Sequence, residues 1–142
     1  MSVPVGQRNV PDTPSNRTCY AVDACIELAL HTTLICKNRN IFKPEYPETY
    51  TIAVDLAINA MMEVKRANRI NVGTNHELKV KRLEHQLNAI NMLEDLNDWI
   101  YYCRRRLNLR GSKESCWHDK TEYALNLVKK CYGADEYRYR NI

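Results

Sequence analysis

The feature that most constrains the fold is a long helical pattern of apolar residues between positions 76 and 107. Apolar side chains recur there at a mean step of roughly 3.4 residues, close to the repeat of an α-helix. At about 1.5 Å per residue, such a helix would be roughly 45 Å long. The stripe is formed by Val80, Leu83, Leu87, Ile90, Leu93, Leu96, Ile100, Cys103 and Leu107.

Three further segments show helical periodicity, at residues 15–37, 48–67 and 112–133. Prolines or glycines separate the four patterns, and both residue types disfavour a helix interior. Gly111 is expected to end the third helix and Gly133 the fourth. On the second helix a row of alanines would let a neighbouring helix approach closely; it consists of Ala53, Ala57 and Ala60.

No segment alternates apolar and polar residues as a half-buried strand does. The sequence therefore predicts an all-α fold, an up-down-up-down four-helix bundle with a long third helix. Residues 1–14 are predicted to be a flexible N-terminal arm, residues 15–133 the bundle and residues 134–142 a C-terminal tail. The unequal helix lengths leave part of the third helix uncovered, which favours oligomerisation.

The composition agrees with one folded domain of 142 residues, with 44% apolar residues. Its 21 basic and 17 acidic residues permit contact with nucleic acid without a histone-like excess. The six cysteines form no CxxC pair, so we expect reduced thiols in the core. No apolar segment is long enough to span a membrane, and we expect a soluble cytoplasmic protein without membrane contact.

Positive charge is concentrated at the two ends of the third helix. Arginine can bind a phosphate through two parallel hydrogen bonds, and tyrosine can stack on an unpaired base. The competing interpretation is a solvated helix end, because three consecutive arginines spread over about 200° of the helix and cations there suit the helix dipole. The predicted nucleic-acid-binding residues are Lys79, Arg82, Tyr101, Tyr102, Arg104, Arg105, Arg106 and Arg110.

Signatures of catalysis are scarce in this chain. Phosphate-binding loops and catalytic sequence motifs are absent, so we predict no catalytic residues, no metal site and no cofactor. One alternative remains: Arg69 and His76, with six residues between them, resemble the spacing in a class of helical-bundle ribonucleases.

The order of features resembles a known family. Three segments carry this resemblance: FKPEY at residues 42–46, RANRINVGTNHE at residues 66–77 and LNAINMLEDL at residues 87–96. The chain resembles, over roughly residues 15–131, the accessory variability determinant of diversity-generating retroelements and the related bundle proteins of ribosomal RNA intervening sequences. The resemblance implies a basic homopentamer that performs no chemistry itself and binds a reverse transcriptase and its template-repeat RNA.

Three classes of function therefore stay open. The first is a scaffold that binds RNA and a reverse transcriptase. The second is a helical adaptor that contacts only protein, and the third is the ribonuclease with Arg69 and His76.

Overall fold

The computed structural model describes the backbone of residues 14–109 and 111–142, and the side chains of residues 20–109, 111 and 114–142. Four helices account for most of these residues, and no strand occurs among them. The predicted all-α four-helix bundle is therefore confirmed. The predicted N-terminal arm, up to residue 13, and Arg110 lie outside the described residues. The helices are α1 (Pro14–Cys36), α2 (Pro47–Asn68), α3 (His76–Arg106) and α4 (Ser112–Arg138).

Each helix packs against its neighbours in the chain, and α1 also packs against α4, which closes the ring of four. The inward side of α2 is narrow because Ala53, Ala57 and Ala60 are each fully buried. Small side chains allow the helices beside α2 to come close, as the sequence predicts. Leu28, Leu93, Leu96 and Ile100, among others, fill the space inside the ring.

One end of the bundle, called here the Trp117 end, is closed by aromatic rings. The last turns of α1 and α3 meet the first turns of α2 and α4 there. Trp117 Nε1 donates to Thr32 Oγ1 at 2.9 Å, and the Phe42 ring meets the indole of Trp117 edge-on at 5.9 Å. Trp99 Nε1 donates to the carbonyl oxygen of Thr49 at 3.3 Å, which joins α3 to α2.

The opposite end, called here the Asp135 end, is closed by a buried charged network. Arg82 Nε donates to Asp135 Oδ2 at 2.7 Å, and Gln86 Nε2 donates to the same oxygen at 2.8 Å. Arg82 Nη1 also donates to the carbonyl oxygens of Ala67 and Ile70, at 3.0 and 3.2 Å. A single guanidinium thereby connects α3 to α4 and to the end of α2.

The predicted end of the fourth helix at Gly133 is wrong, because α4 continues to Arg138. A glycine inside a helix costs about 1 kcal/mol relative to alanine. The bonds that Asp135 makes to Arg82, Gln86 and Arg138 offset that cost, since they form only if the helix carries the carboxylate past Gly133. The first part of the predicted tail therefore belongs to the bundle.

The predicted apolar stripe of the third helix is wrong in its first half. Val80 and Leu87 keep 46% and 40% of their surface exposed, although both were expected in the core. Arg82, Gln86 and Ala89 face inward instead. Asp135 lies opposite this part of α3. The side chains that bind Asp135 therefore face the interior there, and the aliphatic side chains of the helix do not.

The ends of α3 follow local chemistry. The Asn75 side chain caps the start of α3, where it accepts a hydrogen bond from the amide of Leu78 at 3.1 Å. Gly73 adopts a φ of 56° in the preceding turn, a conformation that glycine tolerates without strain. Asn108, with a φ of 53°, ends the helix before Gly111, and the amide of Leu109 bonds back to the carbonyl of Arg104.

Four of the cysteines are buried, as the sequence predicts: Cys25, Cys36, Cys103 and Cys131. Burial raises the pKa of Cys25, Cys36 and Cys103 to about 12. These thiols therefore stay protonated at neutral pH, which makes them poor nucleophiles and poor metal ligands. The side chain of Cys19 lies outside the described residues.

None of the described helices combines the length and the apolar character needed to cross a membrane.

Candidate nucleic-acid interface

The last turn of α3 spreads its three arginines in different directions. Arg104 turns toward α4, where its Nε lies 3.8 Å from Glu114 Oε2. Arg106 turns toward the start of α2, where its guanidinium lies 3.8 Å above the Tyr46 ring. Arg105 is exposed, and among the described residues it has no ion-pair partner. It is therefore the arginine of this turn that is most available to a ligand.

Two tyrosines lie one turn before these arginines. Tyr101 is 57% exposed and precedes Arg105 by four residues, which places both side chains on the same face of α3. Tyr102 is stacked on Trp99, with ring centroids 4.5 Å apart and planes at 18°. A shallow depression is lined by these two tyrosines together with Asp98, Arg105 and Arg106. Sites that bind single-stranded nucleic acid combine aromatic rings, which stack on bases, with cations, which contact phosphates, and this depression has both.

The loop between α1 and α2 brings further cations to the same end. A cleft of about 470 Å³ lies between this loop and the α3–α4 loop, and Lys43 and Arg106 are on its wall. Arg39 lies 3.9 Å above the Tyr50 ring and donates to the Cys36 carbonyl oxygen at 3.2 Å. Sequence reasoning missed Lys43 and Arg39, because they are more than sixty residues before the arginines in the chain. The up-down topology was the signal that could have found them, since it places the first loop beside the end of α3.

The surface between α3 and α4 is acidic, and it borders the tyrosines on one side. A groove there is lined by Glu94, Asp98, Glu114 and Glu122, together with Arg104 and His118. Asn97 Nδ2 donates to Glu122 Oε1 at 2.6 Å, which holds that carboxylate at the groove. A polyanion is repelled along this groove, so the favourable path runs from Arg105 toward Arg106 and Lys43 instead.

The prediction that Arg82 contacts nucleic acid is wrong. Only 6% of its surface is exposed, and its guanidinium is held by Asp135 and by two carbonyl oxygens. The sequence places Arg82 in a basic run, but the partner that draws it inward is fifty-three residues away in the chain. Arg82 is a structural residue.

Lys79 does not share a surface with Arg105. It is half-buried at the Asp135 end, and its Nζ donates to the backbone oxygen of Ile142 at 3.2 Å. About 39 Å of helix separates the two residues. The predicted binding residues therefore divide into one group at the Trp117 end and Lys79 at the other end, while Arg110 lies outside the described residues.

The residues considered for ribonuclease chemistry lie at the Asp135 end. Arg69 caps α2 and is exposed, while His76 is the first residue of α3. His76 Nδ1 lies 2.9 Å from the backbone oxygen of Ile142. Ribonuclease activity through this pair stays a prediction.

Two acidic residues lie four positions before a histidine, Glu27 before His31 on α1 and Glu114 before His118 on α4, and both carboxylates contact a cation instead. Glu27 accepts from Lys120 Nζ at 3.0 Å, and Glu114 lies beside Arg104. Within the described ranges, no three His, Cys, Asp or Glu side chains converge on a point where a metal ion could bind.

Comparisons with family models, with curated proteins and with solved structures find no match to this chain.

Proposed function

We propose that this protein is a non-catalytic helical scaffold that binds single-stranded RNA at the Trp117 end. The observation that carries this proposal is the pairing of Arg105, exposed and without an ion-pair partner in the described structure, with the exposed ring of Tyr101. A guanidinium binds phosphate through two hydrogen bonds, and a phenol ring stacks on a base of any sequence. Lys43 and Arg106 extend the positive surface beyond Arg105.

The partners follow from the family that the sequence resembles. In that setting the RNA is the template-repeat transcript of a diversity-generating retroelement, and the protein partner is its reverse transcriptase. The scaffold would hold RNA and polymerase together during mutagenic reverse transcription, and it would need no catalytic group of its own. The high pKa of the buried thiols is consistent with this role, since those cysteines are unreactive at neutral pH.

Exposed aliphatic side chains on α3 support a protein-binding face as well. Val80 and Leu87 are exposed, and the half-buried Leu83 lies between them on the same side of the helix. A contact of this face with a second copy would support the homopentamer that the resemblance implies. Light scattering tests it: Leu87→Glu should lower the mass of the assembly while circular dichroism stays unchanged. A wild-type monomer at micromolar concentration would contradict the pentamer.

The central experiment measures RNA affinity against salt concentration for Arg105→Glu. Each lost phosphate contact lowers the slope of log K against log salt by about 0.7 on a single strand. We expect Arg105→Glu to weaken binding more than Arg104→Glu or Arg106→Glu does, because acidic neighbours already hold those two arginines. The unfolding midpoint should stay close to that of the wild type.

A matched control is Lys130→Glu, which makes the same change in net charge at an exposed position of α4, five residues before Asp135. This variant should keep the salt slope of the wild type. Equal losses for Arg105→Glu and Lys130→Glu would show that only net charge matters and would contradict a site at Arg105. Partner binding that is insensitive to salt, with no RNA retained, would favour the helical adaptor.

A further inference from the structure

A second group of cations lies at the Asp135 end, apart from the arginines of the Trp117 end. Several cations there are already held: Arg66 by Glu63, and Arg82 and Arg138 by Asp135. Three others are exposed and have no ion-pair partner among the described residues. These are Arg69, Lys81 and Arg140.

The three exposed cations come from distant parts of the chain, and the buried network brings them to one end. Arg69 caps the end of α2, Lys81 is in the second turn of α3, and Arg140 follows α4. The bonds of Arg82 to the Ala67 and Ile70 carbonyls and to Asp135 join these three elements. The three cations are therefore carried by elements that are fixed to one another, and the exposed Glu77, Glu84 and Glu136 lie at the same end.

An exposed aromatic ring accompanies these cations, as at the other end. Tyr137 is 68% exposed, and the guanidinium of Arg140 lies 3.9 Å from its ring centroid. The segment after α4 is held against the bundle, because the backbone oxygen of Ile142 bonds to His76 and Lys79. The Asp135 end thus also combines a cation with an aromatic ring, but here the two are already in contact, because Arg140 Nη1 donates to the Tyr137 carbonyl oxygen at 2.6 Å as its guanidinium stacks on the ring.

An acidic middle separates the two positive ends. Lys81 and Arg105 are about 36 Å apart along α3. Between Arg82 and Arg104 the sequence of α3 has no lysine or arginine, and Glu94 and Asp95 are exposed there. A polyanion therefore has no continuous positive track along α3.

We propose that the Asp135 end is a second RNA-binding site, so that one protomer holds two separate segments of RNA. This inference rests on the proposed function, because it assigns the same ligand class to a different surface. Two weak sites on one rigid body raise the effective concentration of the second segment once the first is bound. The protein would then join two distant parts of one transcript, or two RNA molecules.

The experiment compares three full-length variants by the number of RNA molecules bound per protomer. The first is Arg69→Glu/Lys81→Glu/Arg140→Glu, the second is Arg105→Glu with Lys43→Glu, and the third is the control Lys130→Glu. The probe is an unstructured RNA oligonucleotide too short to span roughly 36 Å. A second assay measures whether protein on an immobilised RNA captures a fluorescent RNA.

We expect two oligonucleotides per protomer for the wild type and for Lys130→Glu, and one for each end variant. The amount of second RNA captured per protomer should be lower in both end variants than in the wild type, because each protomer then keeps one site instead of two. Three lost phosphate contacts would reduce the magnitude of the salt slope by about 2, so a variant that matches the wild type at 1 M salt would bind roughly 100-fold more weakly than the wild type at 0.1 M salt. Circular dichroism should be unchanged, because the substituted side chains are exposed and make no ion pairs in the described structure.

Failure of this inference is distinguishable from failure of the proposed function. One oligonucleotide per wild-type protomer, with normal capture by the triple variant, would overturn the second site while leaving the site at Arg105 intact. Unchanged binding in both end variants would overturn both. Loss of binding only in the triple variant would retain the Asp135 end as the RNA site and remove the one at Arg105.

Discussion

The two ends of this bundle are closed by opposite kinds of chemistry. At the Trp117 end, two buried rings and a hydrogen bond from Trp117 to Thr32 fill the space between the helices. At the Asp135 end, a buried ion pair with backbone carbonyls fills the corresponding space. An apolar core tolerates substitutions between apolar side chains of similar volume. A buried charge is tolerated only while its partner is present. The Asp135 end should therefore be the more specific and the more easily broken of the two.

The largest effect should come from breaking the ion pair on one side only. Arg82→Met removes the buried guanidinium from the Asp135 carboxylate and leaves only the exposed Arg138 as its cationic partner, and we expect a loss of about 3–5 kcal/mol in the free energy of unfolding. The double variant Arg82→Met/Asp135→Leu should recover much of that loss, because neither charge remains. Urea denaturation of both variants measures the difference. A single variant as stable as the wild type would show that the pair does not close this end.

A smaller effect is expected at the Trp117 end. Trp117→Phe keeps an aromatic ring but removes the hydrogen bond to Thr32, whose buried hydroxyl loses a partner. We expect a loss of about 1–3 kcal/mol, mainly from that unsatisfied group. The double variant Trp117→Phe/Thr32→Val should be closer to the wild type in the same unfolding assay. If Trp117→Phe costs more than Arg82→Met, the ranking of the two ends is reversed.

A variant of the α3 cap tests whether other interactions at the Asp135 end stabilise the fold independently of the ion pair. Asn75→Ala removes the acceptor for the Leu78 amide and should cost about 1 kcal/mol. Because the cap shares no partner with Arg82, the effects of Asn75→Ala and Arg82→Met should add in the double variant. A large coupling energy would mean that the whole end acts as one cooperative unit.

The smallest effect concerns pH and lies on the flank of the Trp117 end. Burial lowers the pKa of His31 below its ordinary value of 6.5; nearby Lys120 lowers it further, and Glu27 opposes the shift. The folded state therefore binds a proton less readily than the unfolded chain, so stability is fully present above pH 6.5 and falls as the pH drops through the folded pKa. His31→Gln should flatten this decline in unfolding experiments between neutral and mildly acidic pH. If stability falls with pH in His31→Gln as it does in the wild type, titratable groups other than His31 cause the loss.

The sequence predicted the helices well because their signals are local. The alanines of α2 are buried as expected, and Asn75 caps α3. The second half of the α3 stripe, from Ile90 to Cys103, also lies in the core. Each of these features depends on residues within a turn or two of one another, so periodicity and capping chemistry suffice to find them.

The candidate site was predictable only in part. Tyr101 and Arg105 are exposed as a basic, aromatic helix end implies. The sequence did not separate Arg105 from Arg104 and Arg106, because the partners of the latter two, Glu114 and Glu48, lie on other helices. Nor did it find Lys43, which reaches the site only through the topology of the first loop.

By itself, the sequence determined the number of helices, their approximate limits and the positions of the small side chains between them, because the backbone repeat of a helix imposes its own period on the buried residues. Tertiary structure alone decided that Arg82 points inward and Arg105 outward, although both belong to basic runs of α3. Whether a guanidinium is buried depends on a carboxylate meeting it at hydrogen-bonding distance. Asp135 meets Arg82 because α4 continues past Gly133 and folds back along α3.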